Sequence, residues 1–271
     1  MTQINDIPVL GLGTYGRTGD EGLKAILNAI EIGYRHLDTA QSYGTEVTVG
    51  RAVKESGLPR AELFVTTKVA DTQLDNAAFM PSVEQSLKTL ELDYVDLLLI
   101  HWPSKDDAVP FADYMTSLAE AKQKGFAKRI GVSNYPIADL ARTDALIGAG
   151  QLATNQIEIH PYLQSPKIRD YATHSGLQLT AYMPLAKGRV SDDAVLNEIS
   201  ARHNVTPSAI ALAFLMSEGH IVIPSSANPG RLRDNYASLE VRLTPQDVTA
   251  IRALDRGDRM INPVKSPGWD D

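Results

Sequence analysis

The sequence has no cysteine. That excludes a disulfide scaffold, a cysteine–zinc finger, an iron–sulfur cluster and thiol catalysis. Long apolar runs are missing as well. The longest uninterrupted one spans residues 209–216, far below the ~20 residues of a membrane helix. The first positive charge is Arg17, so no basic segment precedes an apolar one in the manner of a secretory leader. Positive charge is in the minority, 26 Lys+Arg against 33 Asp+Glu, for a net charge of -7. Phosphate backbones are bound by basic faces, so nucleic acid is not an expected partner. The expectation is a soluble, cytoplasmic chain with no membrane or nucleic-acid partner.

Two motif classes are absent too. There is no His-x-His and no His-Glu-x-x-His, the spacings that set two imidazoles on one metal. His36, Asp38, His101 and His160 form the one conceivable metal set, and it lacks a motif. No metal is expected. Gly11-Leu12-Gly13-Thr14-Tyr15-Gly16 is read as carrying two of the glycine spacings of a dinucleotide-binding turn without the third, so a doubly wound nucleotide fold is not expected.

What the chain does have is alternation. Short β-branched, apolar segments occupy residues 9–14, 35–38, 64–68, 95–101, 129–133, 154–159, 179–183 and 221–225. Between them lie segments of helical period. Leu23, Ile26, Leu27 and Ile30 form one apolar stripe, and Val83, Leu87 and Leu90 a weaker one. Thr206-Pro207 reads as an N-cap followed by proline at the first helical position, and Thr244-Pro245-Gln246-Asp247 opens the last helix in the same way. Strand–helix alternation implies parallel strands with helical crossovers. Eight such units in 271 residues match an α/β (β/α)8 TIM barrel. An open doubly wound sheet is the competitor. Polar residues stand at or near the ends of most strands: Asp38, Lys68, His101, Ser133, Gln156, Tyr182 and Ser225. In a barrel those ends converge on one mouth. No linker, charge block or repeat interrupts the chain, so residues 1–271 are expected to form a single domain.

Asp38, Tyr43, Lys68 and His101 complement one another chemically. A tyrosine needs help to give up its proton near neutral pH. A nearby ammonium such as Lys68 stabilises the phenolate and is expected to lower the tyrosine pKa, a carboxylate such as Asp38 holds the ammonium, and His101 orients a substrate oxygen or relays the proton. Each residue also has a plainer reading: a structural Asp38–Lys68 ion pair, a packing Tyr43, a structural His101. Residues 223–235 offer Ser225, Ser226, two arginines and a helix N-terminus, a combination that favours phosphate. A solvated basic turn is the alternative there.

These residues resemble the aldo-keto reductase family. Gly33-Tyr34-Arg35-His36-Leu37-Asp38-Thr39-Ala40 with Tyr43, Glu46 and Gly50 is similar to its first signature, and Lys128-Arg129-Ile130-Gly131-Val132-Ser133-Asn134-Tyr135 to its second. Residues 224–235 resemble the third. Asn155-Gln156-Ile157-Glu158 with His160-Pro161, and Ala181-Tyr182-Met183-Pro184-Leu185, fit as well. The short chain and the His101-Trp102-Pro103-Ser104 turn most resemble the bacterial branch that reduces 2,5-diketo-D-gluconate (type B) and methylglyoxal.

The resemblance implies reduction of aldehydes and ketones with NADPH, NADH being the alternative cofactor. It implies Tyr43 as general acid, supported by Lys68, Asp38 and His101. Ser133, Asn134 and Gln156 would bond the nicotinamide carboxamide, and Tyr182 would stack on its ring. Leu185 and Ala186 would follow the pyrophosphate. Ser225, Ser226, Arg231, Asp234 and Asn235 would hold the adenosine end, and Tyr15 and Trp102 would line the substrate pocket. Two positions depart from the family pattern. Ser225 stands where a lysine usually meets the 2′-phosphate. Asp234 replaces a longer acid or amide and lies within ion-pair reach of Arg231. Residues 103–111 and 255–271 are short, which implies an open pocket tolerant of α-dicarbonyls, and a monomer is expected. Some members of the fold are cofactor-sensing or interaction proteins with little turnover, and that remains the second reading.

Overall fold

A computed structural model of the chain describes residues 2–270. It begins with a hairpin absent from the sequence expectation, β1 (Gln3–Ile4) paired antiparallel with β2 (Ile7–Pro8). Its two-residue loop, Asn5-Asp6, has φ of 50° and 62°. Positive φ at both loop positions matches the twist of paired strands, and Asn and Asp tolerate it best after glycine.

Eight parallel strands follow: β3 (Leu12–Gly13), β4 (His36–Asp38), β5 (Phe64–Val69), β6 (Val95–Ile100), β7 (Ala127–Ser133), β8 (Leu152–Glu158), β9 (Gln178–Tyr182) and β10 (Ile221–Val222). Each pairs with its sequence neighbour. The first and last segments then join. Val222 N–H donates to the Val9 carbonyl at 2.8 Å, Gly11 N–H to Val222 at 2.9 Å and Gly13 N–H to Pro224 at 3.0 Å. The sheet is therefore closed, and the barrel expectation holds.

The bounds differ most at this seam. Segments expected at 9–14 and 221–225 are regular only over two residues each. Pro224 has no N–H with which to extend the ladder. Gly11, Gly13 and Gly16 do satisfy the Gly-x-Gly-x-x-Gly spacing in full, yet the first two serve barrel packing. A Cβ on Gly11 would stand 2.8 Å from His36 Nδ1, and one on Gly13 3.0 Å from the Ile223 carbonyl oxygen.

Among the described residues ten helices surround the sheet: α1 (Gly19–Ile32), α2 (Glu46–Glu55), α3 (Asn76–Leu90), α4 (Phe111–Gln123), α5 (Ile137–Ile147), α6 (Pro166–Ser175), α7 (Ala194–His203), α8 (Pro207–Ser217), α9 (Pro229–Ala237) and α10 (Pro245–Arg252). The caps read from sequence are present: Thr206 accepts from Ala209 N–H, and Thr244 and Asp247 form a reciprocal capping box. The apolar run 209–216 belongs to α8. That helix packs against α7 and α9, and Ala209 through Leu215 are all buried.

Alternation of side chains along the strands sorts the barrel interior into layers. Ile7 of the hairpin closes the N-terminal end, packed with Phe64, Leu97, Leu99 and Ile221. Next come paired polar groups, His36 Nε2 with Thr66 Oγ1 at 3.0 Å and Thr154 with Thr180 at 2.8 Å. The layer at the C-terminal mouth holds Asp38, Lys68 and Gln156. Apolar packing at one end thus supports buried charge at the other. Among the described residues no helix is long and apolar enough to cross a membrane.

Candidate active site

Lys68 is completely buried, and Asp38 is 2% exposed. The Lys68 ammonium donates to Asp38 Oδ1 at 2.5 Å and to the Thr39 carbonyl at 2.9 Å. The second oxygen, Asp38 Oδ2, accepts from Gln156 Nε2 at 2.8 Å. Burial alone would lower the lysine pKa. The Asp38 carboxylate and then Tyr43 outweigh it and hold the group above its ordinary value. Lys68 is therefore a fixed cation.

Tyr43 sits in the turn Gln41–Tyr43 after β4, partly buried, its ring centre 5.0 Å from the Lys68 ammonium. The turn is stapled from outside. Gln41 Nε2 donates to Ser82 and Ser86 of α3, and Gln41 Oε1 accepts from Ala70 N–H beyond β5. Thr14 and Thr39 both bond the Thr45 hydroxyl at the other side of the turn. His101 lies across from Tyr43, Nε2 to phenol oxygen 3.5 Å, with Ser42 Oγ 3.3 Å from its Nδ1. The four residues expected from sequence are thus brought together.

One electrostatic expectation is corrected. Lys68 does pull the Tyr43 pKa down, but burial is the larger effect and leaves it raised. Tyr43 therefore holds its proton throughout the neutral range, and the nearby cation serves the phenolate only when one forms. Burial first, then Lys68 and Lys265, lowers His101 to about 2, so its ring is neutral.

The second group lies on β7 to β9. Asn134, just past β7, has φ 64°, which turns its side chain back over the mouth. Its Nδ2 donates to the His101 carbonyl at 3.0 Å and to Ser133 Oγ at 3.1 Å, and its Oδ1 accepts from the Tyr182 hydroxyl at 2.9 Å. Ser133 donates to the Gln156 carbonyl at 2.8 Å. Tyr182 is thus held by its hydroxyl, with one ring orientation. An amide approaching this group meets the second Gln156 N–H, its oxygen, and a remaining Asn134 Oδ1 lone pair. The donor set suits a carboxamide. Leu185 and Ala186 lie in a loop where Met183, Ala186 and Lys187 have φ of 51°, 48° and 56°. Three such residues in a row of five hold this loop in a left-handed backbone that side chains rarely adopt.

Around Ser225, the helix end is less available than its sequence implies. Pro229 has no N–H, and Asn228 Oδ1 already accepts from Arg231 N–H at 3.0 Å. Ser226 Oγ accepts from Asn228 N–H at 3.2 Å. Arg231 and Asp234 are exposed and Asn235 is buried. The expected Asp234–Arg231 ion pair does not form among the described residues. Among the described residues no group of three or more His, Asp or Glu side chains is placed to hold a metal. His36 and His160 are engaged elsewhere, with Thr66 and Glu158.

The C-terminal tail departs most from expectation. Instead of leaving the mouth open, it straps across it. Glu158, fully buried at the end of β8, accepts from Met260 N–H and Ile261 N–H at 2.8 Å each, and from His160 at 3.1 Å. Lys265 donates to Asp71 beyond β5 at 2.6 Å, and Asp270 accepts from Ile137 N–H at the start of α5 at 2.6 Å. Trp269 packs against Trp102, ring centres 6.2 Å apart. Trp102 is therefore buried under the tail, whereas Tyr15 is 71% exposed with its edge to Tyr43 at 5.1 Å. Glu158, Asp71, Lys265 and Trp269 were not among the expected site residues. Glu158 follows Gln156 by two on one strand, so it points into the same mouth; that was the available signal.

The sequence profile of the Aldo/keto reductase family matches residues 9–256. The chain belongs to this family. It is 44% identical to methylglyoxal reductase DkgB of Salmonella typhimurium over 265 residues, 97% of this chain and 99% of that one. DkgB of Yersinia pestis is 40% identical over the same coverage. Among solved structures, a putative 2,5-diketo-D-gluconic acid reductase B superimposes with a TM-score of 0.94 at 40% identity, covering 98% of this chain and 95% of the other. The aldose reductase of Schistosoma japonicum superimposes with a TM-score of 0.90 at 30% identity, covering 96% and 92%. This aldo/keto reductase is thus an oxidoreductase acting on carbonyl groups.

Proposed function

We infer that the protein reduces small aldehydes and ketones with NADPH. The substrates are α-dicarbonyls such as methylglyoxal and keto-sugar acids such as 2,5-diketo-D-gluconate, after the names of its relatives. The observation that carries this reading is the buried chain of contacts Gln156–Asp38–Lys68 ending at the Tyr43 ring. It links a carboxamide-binding side chain to a proton donor.

A bound reduced nicotinamide supplies the hydride. The protein does the rest. Gln156, Asn134 and Ser133 bond the carboxamide, and the fixed Tyr182 ring lies against the nicotinamide. Leu185 and Ala186 follow the pyrophosphate; Ser225, Ser226, Arg231, Asp234 and Asn235 hold the adenosine end. The carbonyl oxygen sits between Tyr43 and neutral His101, with Tyr15 and Trp102 beside it. Tyr43 gives its proton to that oxygen. Lys68, kept charged by Asp38, stabilises the phenolate left behind. Residues 1–271 act as a single domain, as a monomer, in the cytoplasm.

A panel of α-dicarbonyls, aromatic aldehydes and keto-sugar acids, each with NADPH and with NADH, tests the reading through the loss of reduced-nicotinamide absorbance. Turnover of methylglyoxal with a higher kcat/KM for NADPH is expected. Cofactor binding without turnover of any carbonyl would favour a cofactor-sensing protein instead.

A further inference from the structure

One guanidinium at the mouth has no part in the mechanism above. Arg17 lies in the turn after β3, closed by its N–H donating to the Thr14 carbonyl at 2.8 Å, with Gly16 at φ 74°. α1 packs directly on that turn. Any side chain at Gly22 would collide with the Arg17 carbonyl, so helix and turn fix each other. From there the Arg17 side chain crosses the barrel seam to the loop after β10, where Nη2 donates to Ser225 Oγ at 3.4 Å. Among the described residues no carboxylate pairs with it. Its Nε is buried and has no hydrogen-bond partner. A cation with an unmet buried N–H beside a serine hydroxyl is a site prepared for an anion. The α9 N-terminus has less to offer an anion, because Asn228 Oδ1 already accepts from Arg231 N–H.

We propose that Arg17 binds the 2′-phosphate of NADPH and is the residue that sets the preference for NADPH over NADH. The inference rests on the cofactor reading above and adds to it the group that discriminates. The chain has Ser225 where a lysine would supply the charge. Arg17 brings the charge from the opposite side of the seam, and Ser225 both orients the guanidinium and offers its own hydroxyl. A planar guanidinium suits a phosphate dianion because two parallel N–H bonds meet two oxygens. Arg231, exposed on α9, adds charge at longer range.

The test is calorimetric binding of NADPH and of NADH to the wild type, Arg17→Ala, Arg17→Lys and Arg231→Ala. The wild type is expected to bind NADPH more tightly. Arg17→Ala should weaken NADPH roughly 10- to 100-fold and leave NADH within about twofold, which also shows that the variant is folded. Arg17→Lys should fall between, and Arg231→Ala should cost less than Arg17→Ala. Equal weakening of both cofactors would place Arg17 on the shared pyrophosphate and overturn the proposal. So would a variant that binds NADPH as the wild type does. A wild type that binds NADH as tightly as NADPH would overturn the cofactor reading itself, whatever the variants do.

Discussion

Replacing Lys68 by methionine separates the two roles of the buried cation. Methionine has nearly the same length and volume, so packing is conserved and the charge alone is lost. Two consequences follow with different magnitudes. The first is on the rate. The Lys68 ammonium lies 5.0 Å from the Tyr43 ring centre. At an effective dielectric of about 20, a unit charge at that distance stabilises a phenolate by about 3 kcal/mol, roughly two hundredfold in kcat. The second is on stability. Asp38 is 2% exposed, and without its partner it is a buried carboxylate held only by Gln156. Breaking a buried pair from one side costs about 3–5 kcal/mol, a large part of the ~5–15 kcal/mol that holds a domain folded. The double variant Lys68→Met with Asp38→Asn removes both charges. It should regain most of the stability in urea titration while remaining as inactive as Lys68→Met towards methylglyoxal with NADPH. Recovery of activity in the double variant would refute the reasoning, because it would mean that Lys68 acts only by neutralising Asp38. A Lys68→Met kcat within tenfold of wild type would refute it too.

Other outcomes follow from the same geometry. Tyr43→Phe should lose about 10²–10⁴-fold in kcat while cofactor affinity, measured by calorimetry, stays within about twofold of wild type. His101 and His220 have pKa values lowered by burial to about 2 and about 4, so the unfolded chain takes up their protons first as pH falls below about 6.5. Their contribution to stability is complete above that pH and declines below it, by about 1.4 kcal/mol per pH unit for each histidine; urea midpoints at pH 7 and pH 5 check the sign. Glu158→Gln replaces an oxygen that accepts from the tail with a donor, so the tail should loosen. The fluorescence of Trp102 and Trp269, which pack together, should shift to the red, and KM for the carbonyl should rise about tenfold with a smaller change in kcat. An unchanged emission spectrum with an unchanged KM would show that the tail does not depend on Glu158.

Much of the fold was legible because its signals are local. The apolar run Leu97–Ile100 on β6 and the short β-branched stretch Val65–Thr67 on β5 each lie within a single strand, and such runs need no knowledge of the partner strand. The polar strand ends were legible for the same reason, and they led to Asp38, Lys68, His101 and Tyr43. Gly11, Gly13 and Gly16 show the limit. Their spacing satisfies a nucleotide-binding pattern, but which neighbour each glycine touches is decided by His36 and Ile223 across the seam.

The sequence by itself therefore determined eight strand–helix units, the caps at Thr206 and Thr244, and the chemical types gathered at the mouth. Tertiary structure alone decided how those groups act on one another. Gln156 reaches Asp38 across 118 positions, and Arg17 reaches Ser225 across 208. Both contacts exist because the sheet closes on itself and brings distant strand ends within a hydrogen bond. Burial has the same origin. It keeps the proton on Tyr43 and keeps His101 neutral, because desolvation depends on everything packed around a group and not on its neighbours in the chain.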